Sequence, residues 1–249
     1  MVRQLPLLLL ILGCALESIS VEDPPSPPIS TAPVRPTPVL PAPPTPVTEP
    51  SIDPVEPDPV PAAKPCTEVA HIGDSLSAYC KDSITSAYTQ VGASAVISAY
   101  GGRAVLQKLK DDPETGKNAA LRLRGDGFTG CWVVALGTND AANIAAGANY
   151  SHGKVIDEML TAIDPAKTAR VLWVNVHTTR TEGYNANAEM QKFNRALEEA
   201  PARWPNLRVF DWASVAASGV APYADGIHHT GAGSNVRNER VAQALQKAF

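Results

Sequence analysis

Past residue 65 the chain alternates short apolar runs with stretches in which apolar residues recur at helical spacing. The apolar runs fall near residues 67–73, 94–99, 131–136, 170–176 and 207–210 and predict five strands. Helical stretches are predicted near 75–88, 103–110, 152–163 and 184–200, with a last helix from about 231 to 248. Strands that alternate with helices predict a parallel sheet covered on both faces. With right-handed crossovers the expected fold class is α/β, a flavodoxin-like three-layer α/β/α sandwich on a five-stranded parallel sheet. Such sheets bind ligands beyond the carboxyl ends of their strands, so chemistry is to be sought just past each strand.

The first 65 residues follow neither pattern. A short basic start, Met1 to Gln4, leads into an apolar run from Leu5 to Gly13. A bilayer span needs roughly 20 residues, so this run fits the core of a secretory signal. Two processing sites are open. Ile11-Leu12-Gly13-Cys14 resembles the lipobox of bacterial lipoproteins, which would make Cys14 an acylated first residue and a membrane tether. Ser18-Ile19-Ser20 offers the small-x-small pattern of ordinary signal peptidase, which would discard Cys14 and release the protein. Residues 21–65 interleave Pro with Val, Thr, Ala and acids and hold 17 of the 23 prolines, so they have no periodicity with which to nucleate a core. Extended at about 3.1 Å per residue, such a linker reaches on the order of 100 Å or more. The expected organisation is a signal segment over 1–20, a Pro-rich linker over 21–65 and a folded domain over 66–249, long enough for one core.

Charge divides along the same boundary. The linker carries six acids and two bases, which leaves 18 of each sign in residues 66–249, so the acidic character of the chain belongs to the linker. A neutral domain offers no electrostatic footprint for a phosphate backbone, and nucleic acid is not expected as a partner.

Three predicted strand ends carry reactive residue types. Gly73-Asp74-Ser75-Leu76 follows the first strand, Gly101-Gly102-Arg103 the second and Gly137-Thr138-Asn139-Asp140 the third; Asp225-Gly226-Ile227-His228 precedes the last helix. A serine hydroxyl at a strand-to-helix turn is exposed but needs a base, for which His228 is the candidate. An imidazole base needs an acceptor that fixes its tautomer and stabilises its cation, and Asp225 lies three residues earlier. Taken together and in this order, the four blocks resemble the SGNH or GDSL hydrolase family, over essentially all of residues 66–249. The resemblance implies an esterase with Ser75, Asp225 and His228 as its triad. It also implies an oxyanion hole built from the backbone N–H of Ser75, the backbone N–H of Gly101 and the side-chain amide of Asn139. Gly102 is adjacent to Gly101 and is the alternative donor. The full G-x-S-x-G elbow of α/β-hydrolases is absent, because Ser77 stands where its second glycine would be.

Other residues carry blander expectations. Asp140 is expected to cap the helix that follows it, His71 to sit in the core, and His229 to be structural or exposed. His177, just past a strand, is a candidate substrate contact, and Arg103 is expected either to touch substrate or to close a salt bridge. Trp173 and Trp212 should pack on the sheet. No His, Cys or carboxylate cluster has metal-ligand spacing, so neither metal nor other cofactor is expected. Cys66 and Cys131 fall at the amino ends of the first and third strands, which are neighbours in a flavodoxin-like order, and strands about 4.8 Å apart can be bridged. A Cys66–Cys131 disulfide is therefore expected, with Cys80 a buried thiol outside it.

The function expected is an exported serine esterase that hydrolyses carboxylic, short-chain acyl esters on cell-envelope glycan or lipid through an acyl-serine. Its location is expected to be extracytoplasmic, secreted or tethered through Cys14. Val171-Leu-Trp-Val-Asn-Val176 and Val209-Phe-Asp-Trp212 resemble exported actinobacterial members of the family. An O-acyltransferase with the same triad and a silent wall-binding module are the alternatives.

Overall fold

A computed structural model describes residues 64–109 and 111–249. The expectations for a signal segment, for Cys14 and for all but the last two residues of the linker lie outside the described residues. Five strands, β1 (Glu68–Gly73), β2 (Ser94–Ala99), β3 (Cys131–Ala135), β4 (Val171–Val174) and β5 (Leu207–Phe210), form one sheet in the order β2-β1-β3-β4-β5. Every neighbouring pair is parallel. The helices are α1 (Ser75–Ala78), α2 (Lys81–Gln90), α3 (Gly116–Gly125), α4 (Thr138–Ala145), α5 (His152–Ile163), α6 (Asn187–Glu199), α7 (Trp212–Ala217) and α8 (Gly231–Ala248). This is the α/β sandwich that the alternation predicts.

Side chains leave a strand to opposite faces in turn, and here both faces are buried. Ala70, Ile72, Trp132, Val134, Val171 and Trp173 join one core cluster with residues of α3, α5 and α6. Val69, Cys131, Val133, Ala135, Leu172 and Val174 join the other with residues of α2, α7 and α8. Trp173 and Trp212 are both in these cores, as expected.

Register decides where the chemistry meets. Gly73 pairs with Ala99 on one side and with Ala135 on the other, so β1, β2 and β3 end level. The residues that follow, 74–75, 100–101 and 136–139, therefore emerge at one rim. At the opposite end Cys66 and Cys131 form the expected disulfide, with Cα atoms 5.8 Å apart. It closes a loop of 65 residues in sequence separation, a constraint worth about 4 kcal/mol in the entropic picture. The Gln246 amide also clips α8 to the start of β1, accepting from Cys66 N–H at 3.1 Å and donating to its carbonyl at 2.7 Å.

Several helices differ from expectation. The stretch 75–88 is two helices, α1 and α2, broken where Cys80 leaves the helical region at φ −131° and ψ 34°. The break lets α1 follow the rim while α2 packs on the sheet beside α8. Cys80 is accordingly half-buried, not buried. No helix forms over the described part of 103–110. There the buried Arg103 guanidinium holds Asp112 at 3.0 Å, and Pro113 bars a helix through that point. The helix comes later, as α3, capped by the Thr115 hydroxyl accepting from Asn118 N–H. The helix expected after Asp140 is α4, which begins already at Thr138, and α7 was not expected.

Candidate active site

Ser75 is the first residue of α1, so its N–H has no acceptor within the helix. The residue before it, Asp74, caps the helix by accepting from Leu76 N–H at 3.0 Å. Behind the turn Ser77 is wholly buried, and its Oγ lies 2.9 Å from His71 Nε2. The other imidazole nitrogen of His71 is 2.9 Å from the Tyr88 hydroxyl. A Cβ on Gly73 would lie 2.5 Å from Ser77 Cβ and 2.3 Å from its Oγ, so this glycine is required by contact. Burial first, and the Arg237 charge second, push the His71 imidazole down to about 3. The core position expected for His71 is correct, and it is neutral there.

The partner of Ser75 comes from the loop between α7 and α8. Tyr223 and His229 form an isolated antiparallel bridge, Ala224 N–H donates to the His228 carbonyl at 2.7 Å, and Thr179 N–H donates to the Gly226 carbonyl at 2.8 Å. Gly226 has φ +86° and its Cα faces the Arg180 side chain, so the loop turns tightly there. Inside this frame the Asp225 carboxylate accepts from the N–H groups of Ile227 and His228 at 2.9 and 2.7 Å through Oδ1. Its Oδ2 meets His228 Nδ1 at 2.7 Å. Against the upward push of partial burial, these bonds from the ring and the backbone hold the Asp225 carboxyl at about 2. His228 Nε2 lies 2.9 Å from Ser75 Oγ. Hydroxyl, imidazole and carboxylate thus form a continuous hydrogen-bonded chain across 153 residues of sequence. The geometry lets the imidazole take the hydroxyl proton while the carboxylate fixes its tautomer.

Gly101, Gly102 and Asn139 complete the rim. Arg103 N–H donates to the Tyr100 carbonyl at 3.2 Å, and within this turn only Gly102 has a left-handed φ, +76°. A turn of that kind needs glycine at its third position, so Gly102 serves the backbone. Gly101 serves close approach: a Cβ there would stand 2.8 Å from the Tyr79 hydroxyl. The Asn139 amide donates to the Arg103 carbonyl at 3.1 Å and reaches Asp74 Oδ2 at 3.4 Å. Asp74 and Asp140 are fully buried beside it. Burial raises Asp74 to about 6 against the pull of Arg237, and raises Asp140 to about 7 against the bond from Val105 N–H.

One expectation is overturned around this rim, and three others find their place. Asp140 does not cap α4: its carboxylate accepts from Val105 N–H at 2.9 Å and ties the 103–115 segment to the rim. Arg103 closes the salt bridge rather than facing a substrate. His177 is engaged with the Tyr223 hydroxyl at 3.0 Å. His229 is buried, its ring 4.1 Å from that of Tyr223 and 5.4 Å from that of Trp212. The sequence reading passed over Tyr79 and Arg237. Arg237, buried within α8, acts electrostatically on Asp74, His71 and His229, and an arginine in the middle of a polar helix carries no signal of burial. Among the described residues no group of three or more His, Cys, Asp or Glu is arranged to hold a metal ion. No described helix is long and apolar enough to cross a membrane.

No family model matches the sequence, and no curated protein matches it. Solved structures do. A carbohydrate acetylesterase family member from Sinorhizobium meliloti superposes with a TM-score of 0.57 at 16% identity, over 73% of this chain and 98% of that one. A GDSL-like lipase from Bacteroides thetaiotaomicron gives 0.52 at 17%, over 74% and 89%. A carbohydrate esterase family 2 enzyme with its carbohydrate binding domain, from Corynascus thermopiles, gives 0.54 at 18%, over 76% and 68%. At such identities the likeness is one of fold, and the described domain has the α/β fold that these GDSL-like and carbohydrate esterase structures share.

Proposed function

We propose that this protein hydrolyses carboxylic esters through a covalent acyl-serine, with Ser75, His228 and Asp225 as its triad. The observation that carries the reading is the hydrogen-bonded chain Ser75 Oγ to His228 Nε2, 2.9 Å, and His228 Nδ1 to Asp225 Oδ2, 2.7 Å. Ser75 Oγ attacks the ester carbonyl as His228 Nε2 takes its proton. The negative charge that develops on the carbonyl oxygen is met by the N–H groups of Ser75 and Gly101 and by the Asn139 amide, which exchanges its long contact with Asp74 for the oxyanion. Such donors are each worth about 10²–10³ in rate. As the tetrahedral intermediate collapses, the C–O bond to the alcohol breaks and His228 returns the proton to the leaving oxygen. Water, deprotonated in turn by His228, then attacks the acyl-serine and frees the acid and Ser75. The ionised Asp225 stabilises the imidazolium in both halves.

Hydrolysis is favoured over acyl transfer to a second alcohol because the triad is open to water: the side chains of His228 and Asp225 are 40% and 46% exposed. Short acyl groups fit the carbohydrate acetylesterase among the similar structures. Esters on glycans fit the carbohydrate esterases among the similar structures, and an exported, envelope-facing location fits the sequence of residues 1–65. The test is turnover of p-nitrophenyl acetate together with labelling by a fluorophosphonate probe. The wild type should do both and Ser75→Ala neither; equal labelling of the two proteins would remove Ser75 from the mechanism.

A further inference from the structure

The proposed chemistry leaves Tyr79 without a role. It is the C-cap of α1, four residues after Ser75, so its side chain lies on the same helical face and leans back over the turn that begins with the nucleophile. Its ring centroid is 6.5 Å from that of His228, with the planes at 67°. Its hydroxyl packs over the Cα of Gly101, close enough that a Cβ there would come within 2.8 Å. The phenol ring therefore runs from the base to the oxyanion turn, across the mouth of the site, and it is 74% exposed. Tyr184 is also exposed, but of the two only Tyr79 presents its ring beside both His228 and the Gly101 turn.

From these positions, and resting on the hydrolase reading above, we propose that Tyr79 is the stacking platform for the alcohol half of the substrate, and that this half is a sugar ring. The side follows from proton traffic: His228 must protonate the leaving oxygen, so the alcohol lies beside His228, where the ring of Tyr79 is. The class follows from the surroundings. A pyranose has an apolar C–H face that covers an aromatic ring and a hydroxyl edge that stays solvated. An alkyl alcohol needs enclosure on several sides, whereas Tyr79 offers one open face at a rim otherwise made of polar groups, Asn139, His228 and the Gly101 backbone. The role is one of binding and orientation, separate from bond making.

The experiment compares two acetates with the same acyl group, methyl 6-O-acetyl-glucopyranoside and ethyl acetate, on wild type, Tyr79→Ala and Tyr79→Trp. Tyr79→Ala should lose about tenfold in kcat/KM on the sugar ester, mainly through KM, while staying within twofold on ethyl acetate. Tyr79→Trp should restore the sugar ester. Equal losses on both esters would mean that Tyr79 only shapes His228 or Gly101, and no loss on either would mean that it contacts nothing; both overturn the proposal. A wild type that turns over neither ester, and is unlabelled by the fluorophosphonate, would overturn the hydrolase reading instead.

Discussion

The two halves of the candidate triad are held in place by different physics. Ser75 stands on a turn whose underside is buried: Gly73 against Ser77, Ser77 against His71, His71 against Tyr88, and Asp74 within the field of Arg237. His228 and Asp225 stand on a surface loop, half in water, held by short hydrogen bonds within the loop and by its tether to Thr179. The nucleophile is thus positioned by the same packing that keeps the domain folded, and the base by local bonds that the core does not feel. Damage to the first half should cost stability and activity together. Damage to the second should cost activity almost alone.

The largest effect is expected on the loop. Asp225→Asn keeps an oxygen for the N–H groups of Ile227 and His228 but turns an amide toward His228 Nδ1, which favours the wrong tautomer. That change costs about 10⁴ in kcat where the carboxylate is buried. Here, with Asp225 half-exposed and water able to replace it, a fall of about 10³ in kcat is expected. The unfolding free energy should move by less than about 1 kcal/mol, as at other exposed ion pairs. A loss of stability as large as the loss of activity would erase the distinction between the halves.

The converse experiment is Gly73→Ala. The added Cβ meets Ser77 Cβ and Oγ, and neither can retreat, because Ser77 is enclosed on α1. Overpacking of this kind costs about 3 kcal/mol, and the displaced turn should carry Ser75 with it, so denaturant unfolding and esterase rate fall in parallel. Adding Ser77→Gly removes both colliding atoms. The double variant should therefore be more stable than Gly73→Ala alone, a coupling that a double-mutant cycle reads directly. Additive losses would show that Gly73 matters for something other than this contact.

The same division explains what could be read in the chain. Ser75, Asn139 and His228 were legible because each lies just past a strand or before the last helix, where the topology makes reactive residue types meaningful, and the level ends of β1, β2 and β3 make that reading concrete. The disulfide was legible for the same reason at the other end of the strands. Asp140 was misread because a carboxylate in a helix's first turn looks like a cap, whereas its partner, Val105 N–H, lies 35 residues away. α3 was missed although Thr115 and the Asp126-Gly127 pair mark its ends, because its buried face rests on small residues, Ala119 and Ala120, and on Leu123. Tyr79 and Arg237 had no local signal at all. An exposed tyrosine and a buried arginine differ only in what the rest of the fold places around them.

The buried half also predicts the smallest and sharpest effect, a pH dependence of stability. His71 is pushed from 6.5 to about 3 and His229 to about 4, in each case by burial and then by Arg237. Both are depressed, so in the window between these values and 6.5 the unfolded chain binds protons that the folded one refuses. Their contribution is complete above pH 6.5 and drains away as pH falls. Asp74 and Asp140 are raised, to about 6 and about 7, so their contribution is complete below pH 3.8 and is lost as pH rises through those values. The two sets oppose each other in the wild type between pH 4.5 and 6.5, and His152 and His177, also lowered by burial, add to the first. His71→Gln removes one imidazole and leaves both carboxylates. Whatever it costs by disturbing Ser77 and Tyr88, it should gain stability on acidification from pH 6.5 to 4.5, by roughly 2–3 kcal/mol relative to the wild type over the same interval. Urea unfolding at the two pH values measures this as a difference of differences, in which the lost hydrogen bonds cancel. An unchanged slope would mean that His71 is open to solvent when folded, and with it the dry underside on which Ser75 is held.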